Sequence, residues 1–200
     1  RLLDLEKTLA SQIVGQDAAI SAVAETVRRG LSGIRDSSRP VASMLFTGPT
    51  GVGKTISAIF PAIKAVGEEK ADKIFYLTAK TITRVVAKEA LALLQKQGLR
   101  YKISLLTAKE KLCFCEEMDC NPVNCPYAKG HYDRINDAMF DLLVNEDSFS
   151  REKIEDYAVK HQVCPFEMCL DMSLYSDAVI GDYNYVFDPH VYLRRFFGEG

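Results

Sequence analysis

Gly48-Pro49-Thr50-Gly51-Val52-Gly53-Lys54-Thr55 decides the reading of this chain. The spacing is G-x-x-x-x-G-K-T. An apolar run, residues 41–46, precedes it, and a helix-forming stretch, residues 56–66, follows. A strand, a glycine-rich turn and a helix in that order are the setting of a phosphate-binding loop. The glycines let consecutive backbone N–H groups and the helix N-terminus face an anion. Lys54 is expected to reach the β- and γ-phosphates of ATP, and the Thr55 hydroxyl to hold Mg²⁺. The competing reading is a glycine-rich turn with no ligand.

Working outward, residues 73–78 read as a short buried strand and residues 81–97 as a long helix ended by Gly98. Residues 101–106 read as a third strand. The alternation predicts an α/β fold, a parallel sheet covered by helices of the RecA-like P-loop type. Upstream, residues 2–11 have an amphipathic helical pattern broken at residues 13–16. Asp17 is placed to cap a second helix that turns Ile20, Val23 and Val27 to one face. Residues 30–40 read as a connector. Pro61 is expected to kink or end the helix after the loop.

The pattern changes after residue 110. All six cysteines lie between Cys113 and Cys169. Two helices, residues 132–144 and 151–161, fit there, joined by a polar connector. An apolar strand resumes at residues 178–180, and an aromatic run, Tyr183, Tyr185 and Phe187, follows. Alternation along a strand would make that run core packing, with base stacking as the other reading. The expected layout is a helical lead segment (1–40), the P-loop core (41–110), a mainly helical cysteine-rich insertion (111–170) and a return to the core (171–200).

Net charge is −2, so overall charge gives no argument for nucleic-acid binding. Residues 80–102 nevertheless carry six basic side chains against the single acid Glu89, which suits a phosphate-contacting or a solvated helix face. No apolar run is long enough to span a bilayer, and no signal-peptide pattern stands at the start, so a reducing, cytoplasmic setting is expected. Disulfides are not expected there. The paired C-x₂-C knuckles usual in zinc sites are missing, while Cys125-Pro126 and Cys164-Pro165 suit iron–sulfur ligation. Scattered buried cysteines are the remaining reading. His131, His161 and His190 receive no role.

From Thr55 onward the chain resembles the DinG/XPD-type iron–sulfur DNA helicases of superfamily two. The likeness is carried by KIFYLTAKTITRVVAKEAL (73–91), LTAKEKLCF (106–114), CNPVNCPYAKGHYDR (120–134), HQVCPFE (161–167) and DAVIGDYNYVFDP (177–189). It implies that Cys113, Cys120, Cys125 and Cys164 hold a [4Fe–4S] cluster, with Cys115 and Cys169 outside the ligand set. It implies that Thr78, Lys80 and Thr81 touch a DNA backbone, and that single-stranded or forked DNA is the partner. Residues 1–55 instead resemble the entry to the second ATPase module of Clp-type AAA+ unfoldases, in which Ile13 and Val14 would sit by the adenine. The chain thus reads as a mosaic of two P-loop ATPases.

No apolar strand ends in the Asp-Glu pair that hydrolysis requires. Asp182 and Asp188 lie in the context that precedes such a motif, and a truncation before it is expected. The opening Arg1, in place of Met, points to missing upstream residues. The expected activity is nucleotide binding with little or no hydrolysis, as part of an ATP-dependent helicase. The alternatives are a Clp-like protein-remodelling ATPase and a non-catalytic metal module that binds nucleic acid.

Overall fold

The computed structural model describes residues 5–11, 15–30, 54–188, 193 and 196, without the side chains of Gly30 and Lys54. The strand expected at residues 41–46, the connector, loop residues 48–53 and the pair Ile13 and Val14 lie outside them. The described residues fall into two compact units. One holds those up to 74, 81–93 and from 183; the other holds 75–80 and 94–182.

The first unit is helical at its start. Helices α1 (Leu5–Ala10) and α2 (Asp17–Gly30) are separated by a break in which Gly15 takes a positive φ of 77°. Spacings of three and four residues put Leu5 and Leu9 on one face of α1, and Ile20, Val23, Ala24 and Val27 on one face of α2. These side chains form a buried cluster, with Ile56 and Phe60 of α3 (Lys54–Gly67) against it. The expected face of α2 is therefore the buried one. Helix α3 continues through Pro61 to Gly67, so the proline does not end it. It begins at Lys54.

The second unit is built on a four-stranded sheet: β1 (Ile74–Thr78), β2 (Ile103–Leu105), β3 (Ser148–Phe149) and β4 (Ala178–Asp182), in the order β1-β4-β2-β3. Strand β2 runs parallel to β4, with Ile103 opposite Ala178 and Leu105 opposite Ile180. It runs parallel to β3 on its other side, with Ser104 opposite Phe149. Strand β4 is buried from Ala178 to Gly181, as expected of a parallel strand covered on both faces. Helix α4 (Thr81–Lys96) follows β1 in the chain; its residues 81–93 belong to the first unit and its end to the second, where it closes as expected, with Gly98 at a φ of 103° and the Leu99 N–H on the Leu94 carbonyl at 3.0 Å. The result is the α/β architecture read from the sequence.

Past the one-turn α5 (Lys109–Leu112) come three helices, α6 (His131–Asn145), α7 (Arg151–His161) and α8 (Pro165–Leu174); α8 packs on β2, α7 on β3, and α6 on α7 and α8. The first two match the helices expected within one residue at each end. Strand β3 and helix α8 were not expected. Strand β3 lies inside the cysteine-rich segment yet pairs with β2, so that segment adds a strand to the sheet. Lys102 joins the two: its Nζ donates to the carbonyls of Leu143 and Glu146 and to Asp147 Oδ1, at 2.7–2.8 Å. The ammonium thereby meets the negative end of α6. Ser104 Oγ and Ser176 Oγ share a buried hydrogen bond of 2.6 Å, and Asp177 Oδ2 accepts the Lys102 N–H at 2.7 Å.

The aromatic run differs from expectation. Residues 184–187 form the one-turn helix α9 (Asn184–Phe187), with Tyr183 and Phe187 exposed. One residue advances about 100° in a helix and 180° in a strand, so the alternation that implied a buried face is lost. No described helix is long and apolar enough to cross a membrane.

Candidate metal centre

Cys113, Cys120, Cys125 and Cys164 come from three separate places and line one cavity of about 310 Å³. Cys113 caps the C-terminus of α5, its N–H on the Lys109 carbonyl at 2.9 Å. Cys120 and Cys125 lie on the irregular segment between α5 and α6. Cys164 is the N-cap of α8, with Pro165 as the first helical residue. Proline suits that position because the N–H it lacks would have no helical acceptor.

Short polar side chains shape the irregular segment. Asp119 accepts from the Asn121 N–H at 3.1 Å and from Asn124 Nδ2 at 2.6 Å. Asn121 Oδ1 accepts the Val123 N–H at 3.0 Å, and the Asn121 carbonyl accepts from Cys125 at 2.8 Å. These Asx turns set the backbone that carries Cys120 and Cys125. The two Asn donors hold the Asp119 carboxyl below its ordinary pKa. Phe114 packs on Tyr127 with ring centroids 4.9 Å apart, beneath the same cavity.

Two contacts tie this segment to Cys164. The Cys164 N–H donates to His131 Nδ1 at 3.2 Å, so Nδ1 carries no proton. His131 is 4% exposed, and burial lowers its pKa, which favours the same neutral form. Arg134 spans the gap: Nη2 donates to the carbonyls of Lys129 at 2.7 Å and Gln162 at 2.6 Å, and Nε to that of His161 at 3.1 Å. Both residues sit in the first turn of α6. Neither role was visible in the sequence, where a histidine among cysteines suggests a ligand. The usable signal was the helix start at residue 131, which places both next to the cysteine segment.

The cavity's electrostatics follow from its lining. Lys109 points into it, and its hydrogen bond to Cys120 raises the ammonium pKa, with charge on Cys120, Cys164 and Cys113 adding to the effect. Burial raises the Cys164 thiol, opposed by the N–H groups of Glu167 and Phe166 at the start of α8. Cys115 also lines the cavity, its Sγ 3.8 Å from that of Cys125, and this contact holds its thiol up at about 11. Cys169 is elsewhere: it faces the Leu105 carbonyl at 3.6 Å, and burial pushes it up to about 11.

Among the described residues, no three His, Cys, Asp or Glu side chains converge on a single metal-ion position. One tetrahedral zinc ion needs such convergence. A [4Fe–4S] cluster takes each of its four thiolates on a different iron, so its ligands surround a volume rather than a point. Four thiols around one cavity, with a cation beside them to offset thiolate charge, fit that donor requirement.

None of the other expected contact residues lines the cavity. Thr78 ends β1, and its Oγ1 accepts the Lys80 N–H at 3.3 Å. Lys80 is exposed at the N-cap of α4, and Thr81 opens the helix. Asp182 ends β4, the neighbour of β1 in the sheet. The ends of parallel strands are where α/β sheets bind ligands. Thr55 is half-buried in the first turn of α3.

Comparison with known proteins gives two likenesses. Residues 98–196 match the DEAD_2 family, the DinG/XPD-type helicase domain. The chain is also similar, over 90 residues and 43% of its length, to Clp-type ATPases. It is 41% identical to the negative regulator of genetic competence ClpC/MecB of Bacillus subtilis, covering 11% of that protein. It is 42% identical to chaperone protein ClpB 1 of Thermosynechococcus vestitus, covering 10%. It is 39% identical to the ATP-dependent Clp protease ATP-binding subunit ClpA homolog of Guillardia theta, covering 11%. The chain spans about a tenth of the length of these relatives. Both halves of the mosaic reading are thereby supported, one by each likeness.

Proposed function

We propose that this chain is the nucleotide-binding part of an ATP-dependent DNA helicase that carries a [4Fe–4S] cluster. The observation that carries the reading is the cavity shared by Cys113, Cys120, Cys125 and Cys164, inside the region that matches DEAD_2. When bound, the cluster supplies a four-point cross-link between chain segments and a one-electron redox centre. Lys109 offsets thiolate charge, His131 fixes the backbone of Cys164, and Arg134 locks together the two segments that carry Cys125 and Cys164. The phosphate loop, residues 48–55, holds ATP, with Thr55 on Mg²⁺ and Ile13 and Val14 beside the base. Thr78, Lys80 and Thr81 contact the backbone of single-stranded or forked DNA. We place the cluster domain at 111–170 within a core of 41–110 and 171–200, and the protein in the cytoplasm. ATP binding without appreciable hydrolysis is the expected behaviour of this chain alone.

Iron and acid-labile sulfide content, with an absorption spectrum on protein purified without oxygen, tests the reading. About four irons per chain are expected, with broad absorption near 400 nm. Zinc or no metal refutes the cluster. A second reading, a Clp-like AAA+ remodelling ATPase, is favoured by about 40% identity to Clp ATPases. Nucleotide affinity measured with single-stranded DNA and with an unfolded polypeptide separates the two, since only the true partner couples to the nucleotide site.

A further inference from the structure

The cavity contains one thiol more than a four-iron cluster requires. Cys115 Sγ lies 3.8 Å from Cys125 Sγ, and both line the same cavity. We propose that Cys115 and Cys125 form an oxidisable dithiol site, which a low-molecular-weight disulfide converts to an intrachain disulfide when no cluster is bound. The part that concerns the cluster rests on the function proposed above; the dithiol itself rests on this geometry.

The pair is placed for the reaction. A disulfide bond is about 2.05 Å long, so the two sulfurs have under 2 Å to close. Both residues lie on the segment between α5 and α6, which has neither helix nor strand between Cys113 and Gly130. Its Asx turns can shift without breaking a helix or a sheet ladder. Cys125 is buried and Cys115 half-buried, so a small oxidant meets Cys115 first. Cys169 is removed from the cavity against the Leu105 carbonyl and takes no part.

The chemistry balances in two exchanges. Once a proton leaves the Cys115–Cys125 pair, the thiolate at Cys115 attacks one sulfur of the oxidant RSSR, forming Cys115–S–SR and expelling RS⁻. The Cys125 thiolate then attacks the Cys115 sulfur, forming the Cys115–Cys125 bond and expelling the second RS⁻. Two thiols are oxidised by two electrons and one RSSR becomes two RSH, the protons passing from the cysteines to the expelled thiolates. Cys125 is then lost to the four-thiol set, so disulfide and cluster exclude one another.

The test uses the full chain in two forms, as purified without oxygen and after chelation of its metal. Each is treated with oxidised glutathione, then alkylated and mapped by mass spectrometry, with iron measured in parallel. A Cys115–Cys125 linked peptide is expected in the chelated chain and at least tenfold less of it in the iron-bearing chain. In the chelated Cys115→Ser variant, Cys125 should carry no internal link. Absence of the linked peptide from the chelated chain overturns the proposal. Equal amounts in both forms overturn the exclusion of disulfide by cluster. A purified chain without iron refutes the cluster reading and with it the exclusion, while the mapped peptide still decides the dithiol.

Discussion

Replacing Arg134 with Leu should loosen the candidate metal centre without touching a cysteine. The guanidinium makes four contacts of 2.6–3.2 Å with the carbonyls of Lys129, His161 and Gln162. Gln162 terminates α7 in the left-handed region at a φ of 54°, which turns its carbonyl toward Arg134 and away from the helix ladder. A hydrogen bond to a charged group contributes about 1.5–3 kcal/mol when its removal leaves a buried partner. Three of these four contacts are exposed, and their carbonyls regain water in the variant. About 1 kcal/mol for each of the three carbonyls is therefore the upper figure, and a loss of about 2–3 kcal/mol is expected. With a urea m-value of about 2–3 kcal/mol/M, the unfolding midpoint falls by about 1 M. Circular dichroism reads the midpoint, and iron content measured on the same samples should fall with it. Arg134→Lys should recover less than half of the loss, because an ammonium lacks the planar fork that reaches several carbonyls at once. A shift below about 0.2 M for Arg134→Leu would refute the clamp, since the loss would then be smaller than one exposed hydrogen bond.

Gly130→Ala places a Cβ 2.5 Å from Arg134 Nη1 at a residue whose φ is 67°. It should cost about 1–2 kcal/mol from backbone strain alone, read as a drop of several degrees in melting temperature. In the metal-free chain at pH 8, iodoacetamide should modify exposed Cys120 at least tenfold faster than Cys169, whose burial holds its thiol near 11; equal rates would contradict the placement of Cys169. Asp141 is held below its ordinary 3.8, first by its hydrogen bond from Lys160 and then by that from His161. A depressed folded pKa gives stability that is complete above the unfolded value and is lost as pH falls through the folded one. Wild type should therefore lose its melting-temperature advantage over Asp141→Asn as pH falls below about 3.8, and an advantage that persists to pH 2 would exclude the contact. Lys80→Ala should weaken single-stranded DNA binding equally across sequences and reduce the salt slope by about one; an unchanged slope would remove Lys80 from the interface.

Elements with a clean period were legible, and those whose order depends on distant partners were not. Helix α2 could be read because Ile20, Val23 and Val27 repeat at helical spacing on the buried side. Strand β4 could be read because Ala178–Gly181 is continuously small or apolar. Strand β3 is two residues long, too short for any period, and exists because β2 offers it an edge. Helix α8, PFEMCLDMSL, buries Pro165, Met168, Cys169 and Met172 at helical spacing, yet Phe166, Leu170 and Leu174 make its other faces apolar too and blur the period. Tyr183, Tyr185 and Phe187 alternate as a strand would. Yet the chain turns into α9 there, and the Asp188 N–H bonds to the Asn184 carbonyl at 3.0 Å. Local pattern could not report that turn.

The candidate site shows the same division more sharply. Residue type and spacing singled out the cysteines, and resemblance chose four of the six. What spacing leaves open is how Cys164, 39 positions beyond Cys125, comes to share a cavity with it. That closure depends on the first turn of α6, where His131 accepts the Cys164 N–H and Arg134 bridges residues 129 and 162. It depends also on α6 and α7 packing together, joined through β3. Two first-turn residues therefore set the distance across which four thiols can act together. The turns of the segment between α5 and α6 bring Cys115 against Cys125, so the segment that supplies two of the four thiols also creates their competitor. A chain with the same cysteines but without His131 and Arg134 would keep the spacing and lose these cross-links.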